Sequence, residues 1–452
     1  MTITRIATAI AAVAGLSAVA AAQSATAKIP IKSLSAPLAR TSASLGKVFV
    51  RELPGHKLLA DDAEHHQVLL FDSTLTTSTV VIDSTPGARN SYGPNPAPII
   101  PYLGDSTLFV DNVSQSLVVI DPQGKIARIM AAPQPQNLQF LGQSGAYTDN
   151  RGRLLYRGPV NIIRNNIGDG PKAAQPVQVP DSASLIRADF DTRAVDTIGK
   201  VRVQGGSKIQ MNRGTDGNYQ PTVTINPLPT VDEWSVLADG SVALVRGQDY
   251  HVDWIGSDGK QYSTPKMPFD WRRLSDEDKQ HLIDSARTAR EAAQAKAAEA
   301  AKDPATAAKA AAEGAMVVRM QVGSAGGDGV RSLGGDGAPG GPVRVAAPKV
   351  EYTPIKEIAD YYPPILSGAA KADADGNLWI LPTTTAQSQH GELVYDVVNN
   401  KGELYQRVRL SAGRSIAGFG KGGIVYLMGV ENGKWYVERT RIVGDSHATQ
   451  SQ

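Results

Sequence analysis

Polar side chains and one tryptophan recur in the loops that follow short apolar stretches of this chain. The candidate ligand-binding residues among them are Asp62, Asp111, Asp232, Glu233, Trp234, Arg246, Asp249 and His251. Further polar residues occupy the same loops, namely Asp61, His65, His66, Asn112, Gln248 and His390. These residue types allow three kinds of chemistry: cation binding, acid–base catalysis and recognition of a polar ligand.

The first loop contains the donor types that a divalent cation prefers. Asp61 and Asp62 supply carboxylates, and His65 and His66 supply imidazoles. Calcium is therefore a candidate ligand, although clustered polar residues in a solvated loop explain the same composition. We predict no cofactor and assign no metal site.

Two other groups have both a chemical and a structural interpretation. Asp249 and His251 could act as orienting carboxylate and base, because residues two apart on a strand point to the same side; the alternative is an exposed polar strand edge. Asp232, Glu233 and Trp234 could hold a sugar or peptide on an aromatic platform, and the alternative is packing within a sheet. No catalytic residue is assigned.

The composition excludes several classes of function. The 452 residues include no Cys, which excludes disulfides, thiolate metal sites and cysteine nucleophiles. Lys plus Arg number 46 against 44 Asp plus Glu, so the chain lacks the basic excess of a nucleic-acid-binding protein. The common nucleotide-binding and hydrolase motifs are also missing.

Residues 1–27 have the arrangement of a secretory signal peptide. Arg5 precedes an apolar stretch at 6–19, and alanines at 20–22 and 25–27 fit two alternative cleavage sites. The apolar stretch is shorter than the roughly 20 residues that span a membrane. We therefore expect export to the periplasm or beyond, with no integral membrane segment after cleavage.

The most informative feature is a repeat of about 48 residues. A Gly-containing turn precedes an apolar strand at Gly55, Gly104, Gly152, Gly240, Gly376 and Gly422–Gly423, at intervals of 49, 48, 88, 136 and 47. A second Asp- or Asn-containing turn follows most of these strands. Units of 40–50 residues with four short strands are typical of propeller blades, whereas a β-sandwich would need the spacing to be accidental.

The last unit lacks one strand. A free edge between the first and last blades would destabilise the ring, and the segment near Ile29–Leu38 could supply the missing strand. The predicted fold is therefore all-β: a six-bladed β-propeller over 28–443 whose N-terminal strand closes the last blade. A polar tail follows at 444–452.

The two long intervals indicate insertions. Ser275 followed by three acidic residues predicts a helix that runs to about Lys302, inside an Ala- and Gly-rich insertion at 268–352 between blades four and five. The shorter insertion, in blade three, contains polar stretches at 159–180 and 205–219. Neither has a sustained apolar period, so both are predicted to be loops.

The blade pattern resembles six-bladed propellers of the TolB-like or NHL-like kind. The stretches at 246–259, 264–279, 372–380 and 412–427 are similar to an uncharacterised family of exported bacterial propeller proteins. That resemblance implies the fold and carries no established catalytic residues.

In such a fold the candidate residues fall in loops at one end of the central channel. We therefore expect a monomeric binding or protein-interaction platform for a protein, glycan or small-molecule ligand. The alternative is a hydrolase or lyase acting on a lactone, glycan or peptide at the channel mouth.

Overall fold

The structure is a computed structural model. It describes residues 29–46, 48–62, 64–83, 99–111, 114–141, 145–159, 180–203, 208–213, 219–300, 302, 349–386 and 391–444. The predicted signal peptide, Asn112, His390, most of the blade-three stretch at 159–180 and the Gly-rich part of the insertion lie outside these ranges.

Strands β1–β14 form the N-terminal segment and the first three blades. They are β1 (Ile31–Leu34), β2 (Ala39–Arg40), β3 (Val48–Leu53), β4 (Lys57–Asp62), β5 (Gln67–Phe71), β6 (Ser78–Asp83), β7 (Ile99–Pro101), β8 (Thr107–Asp111), β9 (Ser116–Ile120), β10 (Ile126–Ala131), β11 (Ala146–Thr148), β12 (Leu154–Arg157), β13 (Ser182–Ala188) and β14 (Val195–Arg202).

Strands β15–β28 form the rest of the molecule, with two α-helices. They are β15 (Lys208–Arg213), β16 (Tyr219–Ile225), β17 (Glu233–Val236), β18 (Val242–Arg246), β19 (His251–Ile255), β20 (Gln261–Ser263), α1 (Asp276–Ala300), β21 (Lys349–Tyr352), β22 (Ala370–Ala372), β23 (Leu378–Ile380), α2 (Thr383–Ala386), β24 (Leu393–Val398), β25 (Leu404–Leu410), β26 (Arg414–Gly420), β27 (Ile424–Glu431) and β28 (Lys434–Val443). Short 3-10 turns occur at Pro54–His56, Leu103–Asp105, Pro135–Phe140 and Ile355–Glu357. No helix of the described ranges is long and apolar enough to cross a membrane.

Successive groups of strands form the six predicted blades. Blades 1 to 4 are the antiparallel sheets β3–β6, β7–β10, β11–β14 and β17–β20, blade 5 contains β22–β25, and blade 6 contains β26–β28. The first strands of blades 1 to 5 contact one another in chain order, and β26 of blade 6 contacts β3 of blade 1. The sheets therefore close into a six-bladed propeller with the first strands innermost.

The hydrophobic core lies between neighbouring blades. One cluster joins Leu59 of blade 1 to Leu108 of blade 2 and Leu154 of blade 3, and another joins Trp379 of blade 5 to Val425 of blade 6. The second strand of each blade is covered on both faces, so β4, β8 and β18 are almost wholly buried. This double coverage explains why these strands appear in the sequence as continuous apolar runs.

The predicted Gly turns connect the first and second strands of the blades. The φ angle is +77° at Gly55 and +85° at Gly240, a region that only glycine adopts without strain. Neighbouring turns also bind each other, because the Asp375 carboxylate of blade 5 accepts hydrogen bonds from the amides of Gly422 (2.9 Å) and Gly423 (2.7 Å) of blade 6. The Gly turns that recur in the sequence thus also form a contact between blades 5 and 6.

The N-terminal segment closes blade 6 as predicted. Strand β1 pairs with β28 through Ser33 and Val443, and β2 pairs with it through Ala39 and Arg439. Strand β1 also pairs in parallel with β25, where Ile31 lies opposite Arg407. The segment therefore completes blade 6 and joins its outer edge to that of blade 5.

The helix predicted in the insertion begins where expected. The amide of Asp278 donates to the Ser275 hydroxyl (3.1 Å), and the amide of Ser275 donates to the Asp278 carboxylate (2.9 Å), so the two residues cap α1 reciprocally. The first turns of α1 pack on the body through Ile283 and through an ion pair between Lys279 and Asp360 (2.6 Å). The helix ends at Ala300.

The prediction of a loop throughout 205–219 is wrong, because β15 occupies Lys208–Arg213 and β16 begins at Tyr219. Strands β15 and β16 form a hairpin, and β16 pairs in parallel with β21 from the end of the other insertion, where Thr222 lies opposite Lys349. The pairing partner lies far along the chain, so no local apolar period reveals this sheet. Two insertions that are separate in the sequence thus share one three-stranded sheet.

Deleting residues 28–40 removes β1 and β2 and exposes the edges of β25 and β28. We expect the melting temperature to fall by at least about 5 °C. Differential scanning calorimetry measures this, with deletion of 445–452 as the control. An unchanged melting temperature in the N-terminal deletion would contradict the closure.

Candidate functional site

The candidate residues occupy one end of the propeller, here called the upper face. It is the end at which the second strand of each blade finishes and the first strand begins. Strand pairing places Asp62 opposite Val48 in blade 1 and Val245 opposite Glu233 in blade 4. The upper face therefore carries the predicted residues of blades 1, 2 and 4, grouped separately on each blade.

Blade 4 contains the largest group, here called the blade 4 network: Asp232, Arg246, Asp249, His251, Asp253 and Lys266. Arg246 lies at its centre and donates to the carboxylates of Asp232 (2.8 Å) and Asp253 (2.7 Å) and to the carbonyl oxygen of Lys200 (3.0 Å). Burial works against its charge, but the hydrogen bonds to Asp253 and Asp232 raise the pKa of Arg246 above its ordinary value. The guanidinium holds two carboxylates of the network in place.

His251 continues the network toward the solvent. Its Nδ1 lies 2.6 Å from the Asp249 carboxylate and its Nε2 lies 3.1 Å from the Asp253 carboxylate. A neutral imidazole donates from one nitrogen only, whereas an ionised carboxylate only accepts, so both contacts form together in the imidazolium ring. Asp249 and His251 are thus paired, and a second carboxylate, that of Asp253, holds the ring from its other side.

The two carboxylates around His251 are held ionised. Burial opposes ionisation of Asp249, but the hydrogen bond and charge of His251, together with Lys266, keep the pKa of Asp249 below its usual range. At Asp253 burial is likewise outweighed, by hydrogen bonds from Ser263 and Arg246, so its pKa is also lowered. The network therefore presents fixed charges rather than an uncharged acid.

Close contacts fix the course of the loop at 247–250, which contains Asp249 and leads into His251. A Cβ at Gly247 would overlap the Val231 carbonyl oxygen, and the Gly247 amide donates to the Asp232 carboxylate (3.1 Å). Tyr250 has a φ of +56° and is fully buried, and its hydroxyl donates to the Asp396 carboxylate of blade 5 (2.6 Å). Both contacts hold Asp249 and His251 in one position.

The side chains of the predicted trio Asp232, Glu233 and Trp234 do not form one site. Asp232 belongs to the network. Trp234 is 3% exposed and packs edge-on against Tyr147 of blade 3, with ring centroids 4.8 Å apart, so its ring offers no open face. Glu233 turns toward blade 5, where it accepts hydrogen bonds from the Gly368 amide and the Ser367 hydroxyl.

Glu233 marks a second polar group, here called the channel-mouth group: Tyr147, Arg157, Glu233 and Lys371. These residues lie on innermost strands or at the end of β12. Burial raises the pKa of Glu233 despite the Gly368 amide and the charges of Arg157 and Lys371, and burial lowers the pKa of Arg157. Burial also raises the pKa of Tyr147 to about 12.

Sequence reasoning missed Arg157 and Lys371. Arg157 ends β12 of blade 3 as Arg246 ends β18 of blade 4, so aligning the repeats residue by residue would have found it. Lys371 is the middle residue of the three-residue strand β22, and no sequence signal separates it from an ordinary exposed lysine.

The candidate residues of blades 1 and 2 are held by their own loops. The buried Asp62 carboxylate accepts from the Gly46 amide (3.1 Å) and lies 2.8 Å from His65 Nδ1, and Asp111 accepts from the Ser114 amide (3.3 Å). Asp61 is fully buried. Across the described ranges, no three His, Asp or Glu side chains are grouped so that they could hold a metal ion.

The sequence matches no protein-family profile and no curated protein. Solved structures match over most of their length. Virginiamycin B lyase from Staphylococcus aureus is 10% identical and covers 90% of this chain and 99% of its own, with a TM-score of 0.35. A DUF4221 family member from Bacteroides vulgatus is 11% identical and covers 91% and 98%, with a TM-score of 0.39. A PQQ-bound aldose sugar dehydrogenase from Streptomyces coelicolor is 9% identical and covers 90% and 98%, with a TM-score of 0.35. These values assign no activity to this chain.

Replacing Arg246 with Ala leaves Asp232 and Asp253 without their shared cation. We expect the free energy of unfolding to fall by about 2 kcal/mol or more in urea denaturation. The matched control is Arg187→Ala, which breaks the more exposed Arg187–Asp196 pair (2.6 Å) of blade 3 and should cost less than about 1 kcal/mol. Equal losses would show that the network does not hold blade 4 together.

Glu233→Gln should change how stability depends on pH. The pKa of Glu233 is raised in the folded protein, so from about pH 4 upward the unfolded chain loses this proton first and the folded state is progressively disfavoured. Glutamine lacks this penalty. The variant should therefore gain stability relative to the wild type between about pH 4 and neutral pH, as measured by urea denaturation across that range.

Glu299→Gln removes one negative charge from the exposed face of α1 and is the control for this pH series. If Glu233→Gln and Glu299→Gln followed the same pH profile, burial of the Glu233 carboxylate would not control its ionisation.

Proposed function

We propose that this protein is an exported binding platform whose ligand binds to the blade 4 network on the upper face. The observation that carries this proposal is a row of charged groups fixed by one another and open to solvent at one end. The Lys266 side chain is 71% exposed, and its ammonium lies 3.4 Å from the Asp249 carboxylate. Asp249 and His251 are partly exposed beside it.

The arrangement favours binding because little conformational freedom remains to be lost. Arg246 holds Asp232 and Asp253, and His251 bridges Asp253 and Asp249. Groups that are ordered before a ligand arrives cost less entropy when it binds. An ionised carboxylate has about four acceptor positions, so Asp249 retains capacity for a ligand after accepting from His251 and Lys266.

Export rests on the signal-like sequence at 1–27, and it places the platform in the periplasm or outside the cell. The proposed protein is a monomer whose ligand is a protein, a glycan or a small molecule. We also propose that the protein belongs to an exported family of TolB-like or NHL-like propellers.

One observation favours a second function, a hydrolase or lyase that acts at the channel mouth. Glu233 is a carboxyl group with a raised pKa beside two cations, Arg157 and Lys371. A carboxyl group tuned in this way is suited to proton transfer, and Arg157 or Lys371 could stabilise developing negative charge.

The platform is tested by measuring ligand binding to the mature protein with calorimetry and thermal shift. The probes are an N-acetylglucosamine oligosaccharide, gluconolactone, and an acidic and a basic peptide. We expect at least one probe to bind, and we expect Asp249→Asn and Lys266→Ala each to weaken that binding about tenfold because they remove groups at the exposed end of the network.

The matched controls are Asp258→Asn and Lys260→Ala. They break a comparable Asp–Lys pair (3.0 Å) on the β19–β20 turn of the same blade, at its opposite end. Equal weakening in both pairs, or binding by none of the probes, would contradict the platform. Conversion of gluconolactone that is lost in Glu233→Gln and retained in Asp249→Asn would favour the enzyme.

A further inference from the structure

Four aromatic residues form a continuous row beside the blade 4 network, here called the aromatic row: Tyr250, Phe269, Trp271 and Tyr361. Ring centroids lie 5.5 Å apart between Tyr250 and Phe269, 5.0 Å between Phe269 and Trp271, and 6.4 Å between Trp271 and Tyr361. Each contact is edge-to-face, which is a favourable geometry for aromatic pairs. The row leads from the buried Tyr250 outward to the solvent.

The outer end of the row is open to solvent. Trp271 is 45% exposed and Tyr361 is 46% exposed, whereas Trp234, Trp254 and Trp379 are buried. Single exposed rings are common on protein surfaces, but adjoining exposed rings form a contiguous apolar patch of the kind that often contacts a ligand or partner. The two rings therefore need an explanation that packing of the blades does not provide.

The backbone holds these two rings in place. Arg273 and Tyr361 form an isolated antiparallel bridge, the Tyr362 amide donates to the Arg272 carbonyl (3.1 Å), and the Leu274 amide donates to the Asp360 carbonyl (2.8 Å). The segments on either side of the insertion are thus paired directly beneath the rings. Their positions are set before any ligand binds.

The inner end of the row adjoins the charged network. The Met267 amide donates to the Tyr250 carbonyl (2.7 Å), and the preceding residue, Lys266, pairs with Asp249. Phe269 packs against Tyr250 a few residues farther on. The aromatic row therefore adjoins the charged network at the loop that contains Asp249 and Tyr250.

This combination matches the chemistry of a saccharide. A sugar ring presents C–H groups on its faces, which pack on an aromatic ring, and hydroxyl groups around its edge, which bond to carboxylate and ammonium groups. Trp271 and Tyr361 stand next to the exposed charged residues Asp270 and Arg272, which can bond to the hydroxyl groups of a ligand packed on the rings.

We infer that Trp271 and Tyr361, with Asp249 and Lys266, form an oligosaccharide-binding site. The inference rests on the proposed binding platform and names the ligand class of the same surface. One sugar unit stacks on the Trp271 ring, and the adjoining units extend along the row toward the hydrogen-bonding groups of Asp249 and Lys266.

The experiment titrates the mature protein with hexasaccharides of β-1,4-linked N-acetylglucosamine, β-1,4-linked glucose and α-1,4-linked glucose. Calorimetry gives the affinity, and tryptophan fluorescence reports on Trp271, the most exposed of the five tryptophans. We expect binding of at least one hexasaccharide, with an emission shift that is absent in Trp271→Ala.

Trp271→Ala should weaken saccharide binding about tenfold, and Trp271→Phe should recover part of the loss because it restores a ring face. Tyr405→Ala is the control, since it removes a 39% exposed aromatic ring from blade 5. Melting temperatures of all three variants show whether the fold is intact. Binding that is equal in the wild type and a folded Trp271→Ala would overturn the site.

The outcomes separate this inference from the proposed function. If no hexasaccharide binds at millimolar concentration while a peptide or lactone binds through Asp249 and Lys266, the saccharide site is wrong and the platform stands. If a protein or peptide binds through Trp271 in place of a saccharide, the ligand class is likewise overturned. If saccharides bind through Trp271 and are insensitive to Asp249→Asn and Lys266→Ala, the proposed role of the blade 4 network fails.

Discussion

Pairing of the N-terminal segment with β28 is the contact that holds the propeller closed. A ring of sheets has one junction where the chain does not continue from one blade to the next, and here that junction lies between blades 6 and 1. The Thr41 amide donates to Val437 O (2.9 Å), the Thr41 hydroxyl oxygen accepts from the Val437 amide (3.1 Å), and Leu45 forms a bridge with Trp435. The segment thus follows β28 for most of its length before the chain enters blade 1. Without cysteine, non-covalent pairing alone performs this closure.

Closure matters for the site because the upper-face groups belong to different blades. The loop that carries Asp249 and His251 is anchored through Tyr250 to Asp396 of blade 5, and Arg407 donates to the other oxygen of that carboxylate (2.7 Å). The amide of Arg407 in turn donates to Pro30 O in the N-terminal segment (2.8 Å). The chain of contacts that closes the ring therefore reaches the loop of the blade 4 network. Glu233 depends on the ring in the same way, because its partners come from blades 3 and 5.

The two insertions precede and follow blade 4 in the chain and join in one sheet that is separate from the blades. Helix α1 rests on the body through its first turns, and Arg287 lies over the Tyr352 ring at 5.6 Å, next to the sheet formed by β15, β16 and β21. The segments on either side of the insertion pair near Tyr361 and bring Trp271 to the edge of the network. The Ala- and Gly-rich insertion thus has exposed aromatic residues, Trp271 and Tyr361, near its two ends.

The sequence by itself determined the blade count, the turns and the closing strand. Those features depend on local patterns: the positive φ of the Gly turns, the apolar runs of strands covered on both faces, and the capping pair of Ser275 and Asp278. The sequence left a pairing of Asp249 with His251 as one of two interpretations, and the structure shows the contact between the turn residue Asp249 and the strand residue His251. The tertiary structure alone decided where Trp234 and Glu233 point, which residues surround Glu233, and that Trp271 rather than Trp234 is exposed. It also decided the pairing of β16 with β21. These outcomes depend on contacts between residues far apart in the chain, and no local period or turn signal encodes which blade a side chain will meet.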